Sequence, residues 1–425
     1  MPCPVLPAGE RFPSVDLTAL KEIPQNQMFD LREALDRFQV RNPDAAIYDA
    51  CQGDGGASLP GVPGDILEEA YRLLRAQGTS YDKPHGDARF WTSVVEDYWK
   101  MDAFITPKNV VACQGGRDAL LKAFDAMLAL GHGRMGDYIV LSRVPWVSYN
   151  WGPYMVGANV LLAPGEEQDA WRMTPEGIAS CVEFAKRDGR GVAGIVITSP
   201  DNPTGRSLTL AEQLELIRAA FSAGIPFVLL DWIYHYVTDG EPYNLNDLLR
   251  ALPKEDRGRV IIMDGITKSL GGSNIRNAHL IASEQVVGFT KRRASHGVIP
   301  GFFGMAVAVA AYRQGFAKAC RSITEPTSES RAWLRQALQE KKVRHIIDQG
   351  YYAFLDISQW LNNSDLKDSA AMGMWLAGEH GIAIVPGSFF SPFADQWVRF
   401  SYAQKPETTR RVFNKLVSVL ETSFG

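Results

Sequence analysis

The chain has 425 residues, 46% of them hydrophobic and 22% charged, with a formal net charge of −4. This is ordinary globular composition, long enough for a large core and a second domain. The mild acidity excludes a general attraction to nucleic acid or to anionic membrane surfaces. Cys3, Cys51, Cys113, Cys181 and Cys320 are far apart and odd in number, with no CxxC pair, which reads as reduced thiols rather than a disulfide framework. No run of eighteen apolar residues exists, so no membrane span is expected. The opening "MPCPVLPAGERFP" lacks the charged-then-apolar pattern of a secretion signal, so a cytoplasmic location is expected.

In chain order, "NVVAC" at 109–113 reads as a strand and "GGRDALLKAFDAMLALG" after it as a helix closed by Gly131. "YIVLSRV" at 138–144, "NVLLAP" at 159–164, "VAGIVITSP" at 192–200, "PFVLLD" at 226–231, "VIIMDGI" at 260–266 and "AHLIAS" at 278–283 are further strands. Their apolar runs are continuous, as in strands buried on both faces. Between them, Thr174 with Pro175 opens one helix, and Thr209 with Glu212 in capping-box spacing opens another that Gly224 stops. Strand–helix alternation of this kind predicts an α/β domain with a mostly parallel sheet. A helical pattern follows over 305–342, then strands at 350–358 and 398–403 and a helix from about 406. That change of character predicts a smaller α+β domain, completed by the N-terminal segment. The expected division is 1–70 for that segment, 71–315 for the large domain and 316–425 for the small one.

Ligands of open α/β sheets bind at the carboxyl ends of the strands. At those ends stand the glycine-rich turn "QGGRD", Trp146, Asn202 of "DNPTG", Asp231 with Tyr234 beyond it, and Thr267-Lys268 with Arg276 beyond. A glycine-rich turn opening a helix offers bare N–H groups to a phosphate. A lysine is a nucleophile toward an aldehyde. A carboxylate keeps a heteroaromatic nitrogen protonated, a tryptophan stacks on a ring, and Asn with Tyr can bond a phenolic oxygen. The one ligand needing all of these is pyridoxal 5′-phosphate, with the chemistry in the cofactor and the orientation in the protein.

These residues resemble the fold-type I pyridoxal-phosphate enzymes, specifically the class I/II aminotransferases. "DACQGDGGASLP" at 49–60, "YDKPHG" at 81–86, "SPDNPTG", "LLDWIY", "TKSLGGSNIR", "GIAIVPGSFF" and "VRFSYA" occur in the family's order. The resemblance implies a three-layer fold and an aminotransferase acting on an L-amino acid and a 2-oxo acid. By the same resemblance, Lys268 attaches the cofactor covalently and moves protons, and Asp231 pairs with the ring nitrogen. Asn202 and Tyr234 bond the ring oxygen, and Trp146 stacks on the ring. Gly115, Gly116, Arg117, Thr267 and Arg276 hold the phosphate. Tyr81 reaches a phosphate in the partner subunit of a homodimer. Arg399 grips the substrate carboxylate, and Gly53 offers a backbone N–H beside it.

Three positions depart from the family's habit. Gly265 stands where a phosphate-binding serine is common, Ala278 where a glycine is common after Arg276, and Trp146 where Tyr or Phe is usual. Trp151, Trp232, His85 and Tyr352 are candidates for the substrate side-chain pocket, and Arg292 and Arg293 for a distal carboxylate from a partner chain. The same site residues would serve a carbon–sulfur β-lyase, a decarboxylase-like enzyme or an amino-acid oxidase, so these stay open. A pyridoxal-sensing regulator with a DNA-binding head is disfavoured, because residues 1–40 set Arg11, Lys21, Arg32 and Arg37 against six carboxylates. No metal site is expected.

Overall fold

The computed structural model describes residues 23–425; Cys3 and the opening segment lie outside them. The expected strands are present in shortened form: Val110–Cys113, Tyr138–Leu141, Asn159–Leu162, Val192–Thr198, Val228–Asp231, Val260–Gly265 and Ala278–Ile281. They form one seven-stranded sheet. Its order runs 110–113, 278–281, 260–265, 228–231, 192–198, 138–141, 159–162. Every pairing is parallel except the two made by Ala278–Ile281. That strand returns from Gly265 through a short connection carrying Lys268 and Arg276. A parallel neighbour would have needed a full crossover there.

Both faces of the sheet are buried, which explains the unbroken apolar runs. Val110, Ala112, Tyr138 and Val140 enter one core, and Val111, Cys113, Ile139 and Leu141 enter the other. The first face is covered by helices including Gly64–Gln77, Pro175–Arg187, Leu210–Ser222 and Phe302–Arg313; the second by Gly116–Leu130 and Glu284–Ala294. Phe302–Arg313 is apolar all round and buried along nearly its whole length, as a helix enclosed by others must be. The predicted caps are in place. Thr174 accepts from Gly177 N–H, and Thr209 and Glu212 close a reciprocal capping box.

The smaller sheet is antiparallel, in the order Val385–Pro386, Trp397–Ser401, Tyr352–Asp356, His345–Ile346. Helices Arg321–Glu340, Ser369–His380 and Pro406–Phe424 pack on it through Leu334, Leu376 and Phe413. From the N-terminal side, Tyr48–Asp49 pairs in parallel with Ile382–Ala383. Helix Met28–Arg41 sets Leu31 and Leu35 against Ala377. Helix Gly64–Gln77 crosses the expected boundary at 70 and buries Ile66, Ala70 and Leu73 in the core of the large sheet. Among the described residues no helix is long and apolar enough to cross a membrane.

Candidate functional site

Three parallel strands end side by side. Thr198 is in register with Asp231, and Asp231 with Met263. All three line a cavity of about 610 Å³ at the carboxyl edge of the sheet, within the usual range for a small-molecule site. Lys268, Asn202, Tyr234, Trp146, Gly116, Arg117, Thr267, Arg276, Gly53 and Arg399 line it too. The sequence-predicted residues therefore converge, with two exceptions. Gly115 sits just behind the wall. Tyr81 is 94% exposed and outside this cavity.

Lys268 follows the strand Val260–Gly265, and its Nζ donates to the carbonyl of Gly53. The group Gly53 presents to Lys268 is thus its carbonyl. Tyr351 Oη donates to the Lys268 carbonyl at 2.5 Å and fixes the backbone. Asp231 is buried, and its Oδ1 accepts from Ile233 N–H at 3.0 Å. Its Oδ2 accepts from the phenol of Tyr149. Burial without a cationic partner pushes the Asp231 carboxyl up to about 7, against the pull of those hydrogen bonds. Asn202 lies in the turn between cis Ser199–Pro200 and cis Asn202–Pro203.

Arg399 comes from the small sheet and is 2% exposed. Its Nη1 donates to Asn202 Oδ1 at 2.7 Å and its Nη2 to the Cys51 carbonyl at 2.8 Å. The rings of Tyr352 and Phe390 flank the guanidinium at 4.3 and 5.1 Å. Among the described residues its buried Nε has no hydrogen-bond partner. Two of five N–H donors are thus used to orient the fork, and the rest remain for a ligand carboxylate.

Helix Gly116–Leu130 opens with Gly115 at φ +83°, a conformation suited to glycine. A Cβ at 115 would collide with the guanidinium of Arg276, whereas one at 116 would meet nothing. Arg276 itself has φ +61°, and its Nη1 donates to the Ser273 carbonyl at 2.9 Å. A cation, the open N-terminus of a fifteen-residue helix and the buried, unpartnered hydroxyl of Thr267 therefore face one corner of the site. Gly265 makes no such contribution, and the reason is steric. A side chain there would run into Ala278 Cα at 2.6 Å, because the antiparallel strand lies against it.

Of the four side-chain pocket candidates, Tyr352 alone lines the cavity. Trp232 belongs to the core, its Nε1 donating to Gln213 at 2.8 Å. His85 stacks on Trp91 at 4.4 Å, and Trp151 lines a separate, adjoining cavity. Arg293 pairs with Asp125 at 3.2 Å. Reading the sequence missed Tyr149. Its signal was the spacing Trp146-x-x-Tyr149 at the start of a helix, which sets both rings on one side; they meet edge to face at 5.6 Å. Behind the sheet, Asp264 binds His235 at 2.6 Å and accepts from Tyr98, tying the turn that carries Tyr234 to the strand that leads to Lys268.

The model of the class I and II aminotransferase family matches residues 56–416. The chain belongs to that family. The aminotransferase is 24% identical to the aspartate aminotransferase of Bacillus subtilis over 380 residues, 86% of this chain and 90% of that one. It is 22% identical to the aspartate/prephenate aminotransferase of Thermus thermophilus, covering 84% and 88%. Among solved structures, Thermus thermophilus aspartate aminotransferase with maleate superposes with a TM-score of 0.80 at 21% identity, covering 96% and 100%. An aminotransferase from Mycobacterium tuberculosis does so with 0.80 at 19%, covering 97% and 100%. These likenesses establish the three-layer fold-type I architecture.

Pyridoxal 5′-phosphate is the cofactor of an aminotransferase of this family, and the site fits it. The corner at Gly116, Thr267 and Arg276 has unused donors for a phosphate. Asp231 is a buried carboxylate lacking a cation, as a ring N–H⁺ requires. Lys268 Nζ lies in the same cavity.

Proposed function

We propose that the aminotransferase moves amino groups between an aspartate-type dicarboxylic amino acid and a 2-oxo acid, using Lys268 as covalent anchor and proton carrier. The observation that carries this reading is the meeting, in one cavity, of Lys268 and Asp231 from the large domain's sheet edge with Arg399 from the small sheet. When bound, the pyridoxal group supplies an aldehyde for amines and an electron-withdrawing ring. Arg399 binds the substrate α-carboxylate through its free donors, which retains that carboxylate and orients the Cα–H toward Lys268. Lys268 Nζ would serve as the base that removes the proton from the substrate Cα and, once protonated, as the acid that gives it back. Asp231 holds the ring nitrogen's proton, Asn202 and Tyr234 bond the ring oxygen, and Trp146 covers one ring face. Gly115, Gly116, Thr267 and Arg276 hold the phosphate.

The dicarboxylic preference is supported by the relatives' names and by Arg117. Its guanidinium lies 5.8 Å from the Trp146 ring centre and makes no ion pair or side-chain hydrogen bond among the described residues. It is available to the phosphate, as the sequence suggests, or to a second carboxylate. We further read the active unit as a cytoplasmic homodimer, supported by exposed Tyr81 and by four buried free thiols, and the domain division as that given by the sequence except that helix Gly64–Gln77 goes whole with the large domain.

The test is a half reaction. Aspartate without any oxo acid should change the visible spectrum of the holoenzyme, and 2-oxoglutarate should restore it. Lys268→Ala should lose both the spectrum and turnover. Ammonia release without an acceptor would instead identify a lyase, and oxygen uptake an oxidase. A fully active monomer in sedimentation would exclude the dimeric site.

A further inference from the structure

Tyr352 and Tyr234 come from different sheets. Tyr352 begins the strand Tyr352–Asp356 of the small sheet; Tyr234 follows the strand Val228–Asp231 of the large one. Their hydroxyls are 3.0 Å apart, and both rings are buried. The surroundings of Tyr352 are close-packed at ring, hydroxyl and backbone. Arg399 lies over its face at 4.3 Å. A Cβ on Gly53 would coincide with the Tyr352 hydroxyl, and one on Gly205, at φ +71°, with the Tyr352 carbonyl. Two glycines thus make room for this residue, and one of them makes room for the hydroxyl itself. Phenylalanine would provide the same stacking face for Arg399. The hydroxyl therefore has a purpose other than packing.

We propose that Tyr352 is a positioning residue whose hydroxyl donates to Tyr234, so that Tyr234 keeps its own proton for the ring oxygen of the cofactor. This rests on the reading of the site given above. A phenol has one hydrogen to give. Burial holds Tyr234 in its protonated form, well above the ordinary phenol range. If Tyr234 gave that hydrogen to Tyr352, none would remain for the ligand. With the direction reversed, both hydrogens are used and each bond polarises the next. The Tyr352 hydroxyl has no other hydrogen-bond partner among the described residues. It also shares a sheet face with Arg399, through the pairing Phe354–Arg399 on adjacent strands. Carboxylate docking at Arg399 and the proton at Tyr234 are therefore linked through one ring.

The experiment compares wild type, Y352F, Y234F and the double variant, all loaded with pyridoxal 5′-phosphate. In Y352F the KM for the amino acid should stay within about threefold, because the stacking face under Arg399 is kept. Its kcat should fall about tenfold, the scale of one buried hydrogen bond. The pH midpoint of the bound cofactor's visible absorbance should move, and in the Y234F background Y352F should move neither quantity further. Unchanged kcat and midpoint in Y352F would overturn the proposal. So would an equal loss in both backgrounds, which would mark a role independent of Tyr234. A wild-type protein that neither bound pyridoxal phosphate covalently nor exchanged amino groups would overturn the site reading first, and this proposal with it.

Discussion

Tyr149 gives its phenolic hydrogen to Asp231, and Thr198 Oγ1 stands 3.2 Å behind the same phenol. The carboxylate proposed to face the cofactor ring is thus held by a second ring, which a strand-end hydroxyl supports in turn. Among the described residues no Lys or Arg forms an ion pair with it, and burial is the largest influence on its proton affinity.

Tyr149→Phe should lower kcat about tenfold, since one hydrogen bond to a charged group is lost. Asp231→Asn should lower it at least ~100-fold while still binding cofactor, because a neutral amide cannot stabilise the ring cation. Steady-state kinetics at saturating cofactor distinguishes them. Equal, small losses would mean that Asp231 is not the ring-nitrogen partner.

Asp231 also makes a pH prediction for the cofactor-free protein. Its carboxyl lies near 7 in the folded chain against 3.8 as the ordinary value. The folded state therefore holds this proton more tightly than the unfolded one. The resulting stabilisation is complete below about pH 4, declines as pH rises through about 7, and is absent above. Urea melts of wild type and Asp231→Asn should diverge across that window, by at most about 4 kcal/mol. The divergence should shrink once the cofactor is bound. Parallel stability–pH curves would refute the assignment.

Gly115→Ala should act on the phosphate alone. It adds a Cβ against Arg276 and strains a φ of +83°. The dissociation constant for pyridoxal 5′-phosphate should rise about tenfold or more, while that for unphosphorylated pyridoxal stays the same. Equal weakening of both ligands would show damage to the whole site.

Arg399→Lys should raise the KM for amino and oxo acids together, because a point charge replaces an oriented fork. At about 1.5–3 kcal/mol per charged hydrogen bond, a rise of at least tenfold is expected. Arg117→Gln separates the two uses of that cation. Loss of affinity for dicarboxylic donors only would give Arg117 to the substrate, and loss for the cofactor would give it to the phosphate.

Most of the site was legible because strand ends and loop motifs are local features of sequence. Lys268, Asp231 and Asn202 could be placed from apolar runs and the turns after them. Tyr149 was missed: the spacing from Trp146 sets it on the same side, but its importance lies in a contact with Asp231 made across the fold. Trp232 misled for the opposite reason. It follows Asp231 directly, yet the turn after the strand sends it to the far face, onto Gln213. Tyr81 joins no group of its own chain's cavity, and only the resemblance, not the residues around it, pointed it toward a partner.

The register Thr198–Asp231–Met263 works as a ruler. Neighbouring strands stand about 4.8 Å apart whatever side chains they carry. The spacing across the inner wall of the site is therefore written in backbone hydrogen bonds, and a point substitution cannot stretch it. Loops, and the placement of the small sheet against the large one, have no such gauge. Any change of substrate choice thus has its natural room at Gly53, Arg117, Tyr352 and their neighbours, while the inner wall keeps its dimensions.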